Sequence, residues 1–148
     1  MNTSINTLHV DILDVDRLLY SGPCVCVVAP AAFGEVCIYP RHSPLLSRLN
    51  SGEVRLKMED GSTRFYFVAG GFMEVSYNIV SILADRSLRA QEIDKQAALE
   101  ARQRAEAALK TSPLFTDRDA ALAALTEALI KLRILEHAEH RNNRSGTM

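Results

Sequence analysis

Residues 65–85 (FYFVAGGFMEVSYNIVSILAD) constrain the fold more than any other part of the sequence. Apolar runs at residues 65–68 and 79–83 lie on either side of a Gly70-Gly71 pair. Short apolar runs separated by turn residues are typical of buried strands. A glycine pair between two such runs indicates a turn or bulge whose backbone angles only glycine tolerates. We therefore expect two or three short buried strands that fold back on one another.

The residues before this segment also follow strand patterns. Residues 7–13 alternate between apolar and polar side chains, which is typical of a strand with one buried face. Residues 24–29 are almost continuously apolar, as in a central strand, and we expect Gly22-Pro23 to turn the chain just before them. Asp60-Gly61 between two alternating runs predicts a hairpin. Roughly seven to ten short strands at this spacing indicate a β-sandwich or flattened barrel of about 85 residues.

From residue 91 onward the sequence follows a helical pattern. Residues 91–110 contain no glycine or proline and are rich in alanine and long charged side chains, which favours a helix. Ser112-Pro113 is expected to end this helix, and leucines spaced three, four and three residues apart predict a coiled-coil-like face on a second one. We predict an antiparallel hairpin that packs through Ala97 and Ala101 on the first helix and Leu122, Leu125, Leu129 and Leu132 on the second.

The predicted hairpin buries little apolar area because one of its two packing faces consists of alanine. We therefore expect it to be marginal on its own and to exchange between a docked and an extended form. The chain is thus predicted to be an α+β protein. Its expected parts are a β-sandwich domain at residues 1–88, a helical hairpin at residues 89–140 and a polar, disordered tail at residues 141–148.

Charge and cysteine content exclude several classes of protein. The formal net charge is -1 and the basic residues are not clustered, so nucleic acid is not an expected partner. The longest uncharged run is interrupted by proline and glycine, and a charged secretory start is lacking, so we expect any membrane association to be indirect. Three cysteines in apolar strand contexts indicate buried thiols in a reducing compartment, and we expect neither a metal site nor a cofactor.

Few residues in the sequence suggest chemistry. Arg41 and His42 lie between two prolines in a polar loop and fit either a catalytic or anion-binding site or an exposed docking loop. No Ser-His-Asp or Cys-His spacing and no glycine-rich phosphate loop accompanies them, which favours the docking loop. Lys131 and Arg133 are either a solvated helix edge or a contact for an acidic partner. The residues alone therefore indicate a protein that binds and does not catalyse.

Four segments of the sequence resemble the epsilon subunit of F-type ATP synthases of the bacterial type. Residues 34–46 (GEVCIYPRHSPLL) are similar to that family's GELGIxPxHxPLL segment. Residues 68–75 and 80–85 are similar to its GGFxEV and VxxLAD segments, and residues 132–136 to its LRVxE segment. The resemblance runs in order and with matching spacing from about Leu8 to Glu136, and such spacing is specific to a family.

The resemblance implies a fold and a function. The fold it implies is an N-terminal ten-stranded β-sandwich followed by a C-terminal antiparallel two-helix hairpin. The implied function is that of a non-catalytic rotor subunit, which binds gamma and the c-ring in the central stalk and couples proton-driven rotation to ATP synthesis. The expected location is the cytoplasmic face of the bacterial inner membrane, as a peripheral part of the complex. A stand-alone ligand-binding β-domain whose hairpin dimerises is the alternative.

The resemblance also implies roles for particular residues. Glu35, Arg41 and His42 are expected where the sandwich meets the polar loops of the c-ring. Arginine replaces the glycine of many family members at position 41, which adds a positive charge to this contact. The hairpin is expected to extend into the catalytic head, contact the alpha and beta subunits and inhibit ATP hydrolysis. Lys131 and Arg133 would then meet acidic residues of the beta subunit.

One family motif is incomplete in this sequence. Some bacterial members bind ATP at an I-D-x-x-R-A motif on the first helix. This chain keeps Ile93, Asp94 and Ala98 but has Ala97 in place of the arginine. Because the guanidinium would be a main partner of the phosphates, we predict weak or no ATP binding.

Overall fold

The computed structural model describes residues 6–111 and 115–145, without the side chains of residues 115, 116 and 145. The chain divides into two compact units, Met1–Arg89 and Ala90–Met148. We call the first the β-domain and the second the helical unit. None of the described helices contains a stretch long and apolar enough to cross a membrane.

The β-domain consists of ten short strands. They are β1 (Leu8–Leu13), β2 (Leu18–Cys24), β3 (Cys26–Ala31), β4 (Gly34–Ile38), β5 (Leu45–Leu49), β6 (Gly52–Lys57), β7 (Thr63–Val68), β8 (Gly71–Ser76), β9 (Ile79–Ala84) and β10 (Ser87–Arg89). Nine of them are hydrogen-bonded in the order β10-β7-β6-β3-β5-β8-β9-β1-β2, and β4 pairs with β3 beside this path. All neighbours are antiparallel except β1 and β9.

The two ends of this strand order approach each other. The Arg89 side chain at the end of β10 donates a hydrogen bond to the Leu19 carbonyl of β2 at 3.0 Å, and Arg17 donates to the Ser87 carbonyl at 3.1 Å. The sheet therefore curls into a sandwich that is nearly a barrel, with β10 and β2 as the end strands of the order. This architecture, followed by two helices, confirms the fold class predicted from the sequence.

The core of the β-domain follows from the alternation of apolar side chains along the strands. Successive strand residues point to opposite faces, so a strand with one buried face supplies every second residue to the interior. Leu8, Val10 and Ile12 of β1 are buried, and Met73 and Val75 of β8 and Val80 and Ile82 of β9 join them in one cluster. The predicted buried face of residues 7–13 is therefore correct.

The structure confirms the hairpin at Asp60-Gly61 and the glycine-specific backbone angles at Gly70-Gly71. It does not confirm that the strand before Gly70-Gly71 folds back on the strand after it, because β7 pairs with β6 and β10, whereas β8 pairs with β5 and β9. Gly61 has a φ of 84°, and β6 and β7 on either side of it pair antiparallel from Gly52 to Lys57. Gly70 and Gly71 have φ values of 79° and 119°, which other residues rarely adopt. A Cβ atom on Gly71 would also overlap the Leu83 carbonyl oxygen of the neighbouring strand.

The structure corrects the turn predicted at Gly22-Pro23. Both residues lie inside β2, which continues to Cys24. β2 is the last strand of the hydrogen-bonded order and pairs only with β1 among the described strands. Proline is tolerated on such an edge because its missing N–H faces away from the partner strand.

The helical unit begins with a single 3₁₀ turn at Ala90–Glu92 and contains α1 (Lys95–Thr111) and α2 (Phe115–Ser145). Lys95 at the start of α1 pairs with Glu139 near the end of α2 at 3.8 Å. Arg118 near the start of α2 donates to the Leu109 carbonyl at the end of α1 at 2.9 Å. The two helices are therefore antiparallel, as predicted.

The helices pack only in part through the residues predicted. Among the described side chains, the buried residues of the two helices are alanines at seven-residue spacing, Ala98 and Ala105 on α1 and Ala121 and Ala128 on α2, together with Ile134 on α2. Ala97, Leu122 and Leu129 are exposed, whereas Ala101, Leu125 and Leu132 are half-buried. Two rows of residues along α2 share Leu125 and Leu132. One row also contains Leu122 and Leu129, and the other contains Ala121 and Ala128. The row that contains the alanines faces α1, because small residues allow the helices to approach closely.

The end of α2 also differs from the prediction. The helix continues through Ser145, five residues into the segment expected to be a disordered tail. Residues 141–144 are polar and exposed, and Arg144 in the last turn suits the negative end of the helix dipole. Residues 146–148 of the predicted tail lie outside the described residues.

Candidate functional site

Glu35 is held on the outer surface of the β-domain by an arginine bridge. It lies on β4 with 57% of its side chain exposed. Arg55 on β6 donates one N–H to Glu35 Oε1 at 2.8 Å and another to Glu53 Oε1 at 2.9 Å. Burial by itself would lower the pKa of Arg55. The hydrogen bonds to Glu53 and Glu35 outweigh the effect of burial, so the pKa of Arg55 is raised above its ordinary value. The Glu35 carboxylate is therefore oriented on a rigid strand while remaining accessible.

The loop that contains Arg41 and His42 is fixed to the turn between β8 and β9. Arg41 has a φ of 67°, in the left-handed region, and its backbone N–H donates to Asn78 Oδ1 at 2.6 Å. Tyr77 and Asn78 have φ values of 49° and 63°, so this turn is also left-handed. His42 Nδ1 donates to the Ser43 carbonyl at 2.6 Å. Two tight turns thus support each other and present the Arg41 side chain to solvent.

The structure does not bring these three predicted contact residues into one cluster. Glu35 lies at the beginning of β4, whereas Arg41 and His42 follow its end. Glu35 pairs with Arg55, and the Arg41 loop pairs with Asn78. The three residues are therefore separate points along one strand and its following loop, and they do not form a catalytic constellation.

Sequence reasoning missed an apolar strip on the outer face of the sheet. Phe72 on β8 lies opposite Leu83 on β9, Leu83 lies opposite Leu13 on β1, and Leu13 lies opposite Leu18 on β2. Phe72, Leu83 and Leu18 are 51%, 58% and 51% exposed. We call these four residues the outer apolar strip. Contiguous exposed apolar side chains usually mark an interaction surface.

Phe33 is a second exposed apolar residue that sequence reasoning missed. It lies in the two-residue turn between β3 and β4, is fully exposed and precedes Glu35 by two residues. The sequence signal was available, because an aromatic side chain in a turn next to glycine has no strand face on which to be buried.

Lys131 and Arg133 lie on different sides of α2. Lys131 forms an ion pair with Glu127 at 2.8 Å and its side chain is 22% exposed. Arg133 is exposed and lies on one face of the helix with Leu122 and Leu129. Leu129 follows Leu122 by seven residues, and Arg133 follows Leu129 by four. Residues two apart on a helix point about 200° apart. The two cations therefore do not form one exposed pair, and Arg133 belongs to the exposed leucine face.

The residues of the incomplete ATP motif lie just before and at the start of α1. Asp94 precedes α1 and acts as its N-cap, because its Oδ1 accepts the Ala97 N–H at 3.1 Å. Ile93 and Ala98 are buried, whereas Ala97 is exposed. The Asp94 carboxylate is thus used by the helix, and position 97 contributes no positive charge.

A cleft of about 300 Å³ lies beside β10, and one carboxylate of its lining, that of Asp14, is used by the fold. Asp14 accepts a hydrogen bond from the Ser87 hydroxyl at 2.7 Å and from the backbone N–H groups of Asp16 and Arg17. These bonds lower the pKa of Asp14, the one from Ser87 most. The described residues contain no group of three or more histidine, cysteine, aspartate or glutamate side chains that could hold a metal ion.

Comparison with known proteins places the chain in a family. Residues 7–90 match the family model of the ATP synthase Delta/Epsilon chain beta-sandwich domain. The ATP synthase epsilon chain of Alkalilimnicola ehrlichii is 43% identical over 140 residues, which cover 95% of this chain and 100% of that protein. The chain belongs to the ATP synthase epsilon chain family. Epsilon chains are non-catalytic subunits of the complex, in agreement with the prediction of a protein that does not catalyse.

Further relatives and solved structures agree with this assignment. The ATP synthase epsilon chain of Nitrosococcus oceani is 45% identical over 130 residues, which cover 88% of this chain and 93% of the relative. A chain in the OSCP/F1/c-ring structure of Euglena gracilis mitochondrial ATP synthase superposes with a TM-score of 0.67. It has 22% identity, over 92% of this chain and 81% of the other. At that identity, the likeness supports the fold alone.

Proposed function

We propose that the chain is the epsilon subunit in the central stalk of a proton-translocating F-type ATP synthase. There it couples rotation of the c-ring to ATP synthesis in the catalytic head. The observation that carries this proposal is the match along the whole length of an epsilon chain, at 43% identity. The proposed location is the cytoplasmic face of the bacterial inner membrane, where the chain is peripheral and reaches the membrane only through the complex.

We propose that the outer apolar strip of the β-domain is the surface that binds the gamma subunit. Phe72 and Leu83 are neighbours on adjacent strands and are each more than half exposed. Covering these side chains would remove apolar surface from water, at about 25 cal/mol per Å². A rigid sheet is a suitable base for such a contact because the strip keeps its shape in the free subunit.

We propose that the c-ring contacts Glu35, Arg41 and His42, together with Phe33 at the neighbouring turn. Their charge and polarity suit the polar loops of a membrane-embedded ring. Arg41 supports this assignment, because a non-glycine residue in the left-handed region costs about 1 kcal/mol and such strain persists mainly where a side chain has a function. The exposed Glu35 carboxylate, held by Arg55, would add an oppositely charged contact.

Co-purification from membranes tests both assignments. A tagged chain expressed in a strain that lacks its epsilon subunit should co-purify with gamma and the c-ring. Phe72→Glu should abolish the recovery of gamma because it places a charge in the strip. Tyr77→Glu, on a residue that is more exposed and lies outside the strip, should not. Recovery of gamma with Phe72→Glu at the level of the unsubstituted chain would refute the strip assignment.

Arg41→Gly separates an effect on the proposed c-ring contact from an effect on the stability of the fold. Glycine adopts a φ of 67° without strain, so the variant should be at least as stable as the unsubstituted chain. We expect its recovery with the c-ring to fall nevertheless, because the positive charge is lost. Unchanged recovery would show that Arg41 does not contribute.

We propose that the helical unit inhibits ATP hydrolysis by extending toward the alpha and beta subunits. The exposed face of α2 that contains Leu122, Leu129 and Arg133 supports this, because apolar and cationic side chains together suit an acidic partner surface. Lys131 lies on the opposite side of α2 from this face, and it would have to exchange its Glu127 partner for one on the beta subunit. Removing all residues after Gln91 should raise the rate of ATP hydrolysis by the assembled complex, and an unchanged rate would refute inhibition.

We propose that the isolated chain binds ATP weakly or not at all. Ala97 replaces the arginine of the binding motif, and Asp94 is occupied as the N-cap of α1. Titration calorimetry of the isolated chain with ATP should give no micromolar binding. Ala97→Arg, which restores the motif, is the matched gain-of-binding variant.

A stand-alone binding domain that dimerises through its hairpin is the second candidate. The exposure of Leu122 and Leu129, at 55% and 46%, favours it, because exposed leucines on one helix face promote self-association. Sedimentation of the isolated chain distinguishes the two. A monomer at micromolar concentration agrees with the rotor subunit, whereas a dimer that Leu129→Ser converts to a monomer supports the alternative.

A further inference from the structure

Two of the three cysteines lie side by side on the outer face of the β3–β4 hairpin. Cys26 is the first residue of β3, and Cys37 is the fourth residue of β4. The strand register places Cys37 opposite Val28, so Cys26 and Cys37 are diagonal neighbours on one face. Their sulfur atoms are 2.8 Å apart. Cys24, the third cysteine, lies in the core of the β-domain.

The two neighbouring thiols differ in accessibility. Cys37 is exposed, whereas Cys26 is 4% exposed and lies behind it. Burial, followed by the hydrogen bond with Cys37, raises the pKa of Cys26 to about 12, so Cys26 remains a thiol near neutral pH. An accessible thiol with a second thiol in reach is the arrangement of a site that forms a disulfide in two steps.

We propose that Cys26 and Cys37 are a thiol modification site at which a low-molecular-weight disulfide oxidises the pair to an intramolecular disulfide. The Cys37 thiol loses its proton to water, and its sulfur attacks one sulfur of the reagent. The reagent's S–S bond breaks, and one thiol is released as it takes up a proton. The Cys26 thiol must then lose its proton to water, and the thiolate sulfur that results attacks the Cys37 sulfur. The Cys26–Cys37 S–S bond forms as the S–S bond between Cys37 and the reagent breaks, and the second reagent thiolate leaves and takes up a proton. Two cysteines are thereby oxidised by two electrons, and one disulfide is reduced to two thiols.

The cross-link would fasten the start of β3 to the end of β4. The two cysteines are 11 residues apart in the chain, and the loop they close contains Phe33 and Glu35. A cross-link restricts the unfolded chain more than the folded one. The oxidised β-domain should therefore unfold at a higher temperature than the reduced one. This proposal concerns the β-domain itself and does not depend on the rotor assignment.

Thiol counting on the full chain tests the proposal. The reduced protein is incubated with oxidised glutathione at about pH 8, where reactive thiols ionise appreciably. It is then unfolded, alkylated with N-ethylmaleimide and weighed by mass spectrometry. We expect one alkylated thiol instead of three, and a peptide that joins Cys26 to Cys37. Three alkylated thiols, or a glutathione adduct that persists on Cys37, would overturn the proposal.

Two variants identify the role of each thiol. Cys26→Ser should keep a stable glutathione adduct on Cys37, because the second step is no longer possible. Cys24→Ala should still lose both remaining thiols. Peptide mapping of the unsubstituted chain gives the pairing even if Cys24→Ala fails to fold, and a pairing that includes Cys24 would contradict the proposal. The melting temperatures of the oxidised and reduced chain provide a second readout, and equal values would contradict the cross-link.

Discussion

The β-domain and the helical unit differ in the size of the side chains that they bury. Among the described residues, the largest fully buried side chains, such as Phe67, Ile12 and Met73, lie before residue 90, and Ile134 is the exception. Four of the five buried residues of α1 and α2 are instead alanines, among the side chains that the structure describes. Because apolar burial stabilises in proportion to area, the β-domain should be the stable part of the chain and the helical unit the marginal part. Such a division suits a protein that holds a partner with one part and changes conformation with the other.

The largest expected effect is on the core of the β-domain. Ile82→Ala should lower the free energy of unfolding by about 3 kcal/mol, because Ile82 is fully buried and its truncation leaves a cavity. Leu83→Ala, at the next residue of β9, should lower it by less than about 0.5 kcal/mol because that side chain is 58% exposed. Urea denaturation followed by circular dichroism measures both. Equal losses would contradict the burial pattern on which the comparison depends.

A smaller effect is expected in the alanine contact of the helical unit. Ala128→Leu should destabilise the helices by about 2 kcal/mol because Ala128 is 2% exposed and a larger side chain cannot be accommodated without displacing the helices. Ala124→Leu, on an exposed position of the same helix, is the matched control and should have little effect. The helical signal at 222 nm should melt earlier in Ala128→Leu while the β-domain melts unchanged. Loss of both signals together would show that the two units unfold as one.

Loss of the N-cap of α1 should have a still smaller effect. Asp94→Ala removes the acceptor of the Ala97 N–H and should destabilise α1 by about 1 kcal/mol. Asp94→Asn should be close to neutral because asparagine caps as well as aspartate. Amide hydrogen exchange in the first turn of α1 measures the difference. Equal exchange in Asp94→Ala and the unsubstituted chain would show that the cap contributes nothing.

The smallest effect concerns the pH dependence of the β-domain. The Ser87 hydroxyl and the N–H groups of Asp16 and Arg17 hold the pKa of Asp14 below its ordinary value of 3.8. A lowered folded-state pKa contributes stability above about pH 4, and that contribution is lost as the pH falls through the folded-state value. Ser87→Ala should therefore be less stable than the unsubstituted chain near neutral pH, and the difference should shrink below about pH 3.8. A constant difference across this range would contradict the role of Asp14.

Local patterns predicted the strands and turns of the β-domain well. Apolar alternation is fixed by strand geometry, which is why the buried face of residues 7–13 was identified correctly. Asp60-Gly61 and Gly70-Gly71 were recognisable because few residues tolerate their backbone angles. Gly22-Pro23 misled the prediction because proline is compatible with an edge strand, and edge position depends on distant strand pairing.

The packing face of the helices and the proposed sites were harder to predict. On α2 the leucine stripe and the alanine stripe overlap at Leu125 and Leu132, so periodicity alone does not decide which stripe faces α1. The outer apolar strip and the approach of Cys26 to Cys37 both depend on the strand register, which brings together residues that are distant in sequence. Local sequence patterns contain no information on which distant residues the strand register brings together.

Hydrogen exchange of the full chain measures the difference between the two units most directly. Backbone amides of β8 and β9 in the β-domain should exchange at least about tenfold more slowly than those of α1 and α2. That result would show that the helical unit opens while the β-domain stays folded. Equal protection of helices and strands would contradict the account, because the two units would then share a single unfolding transition.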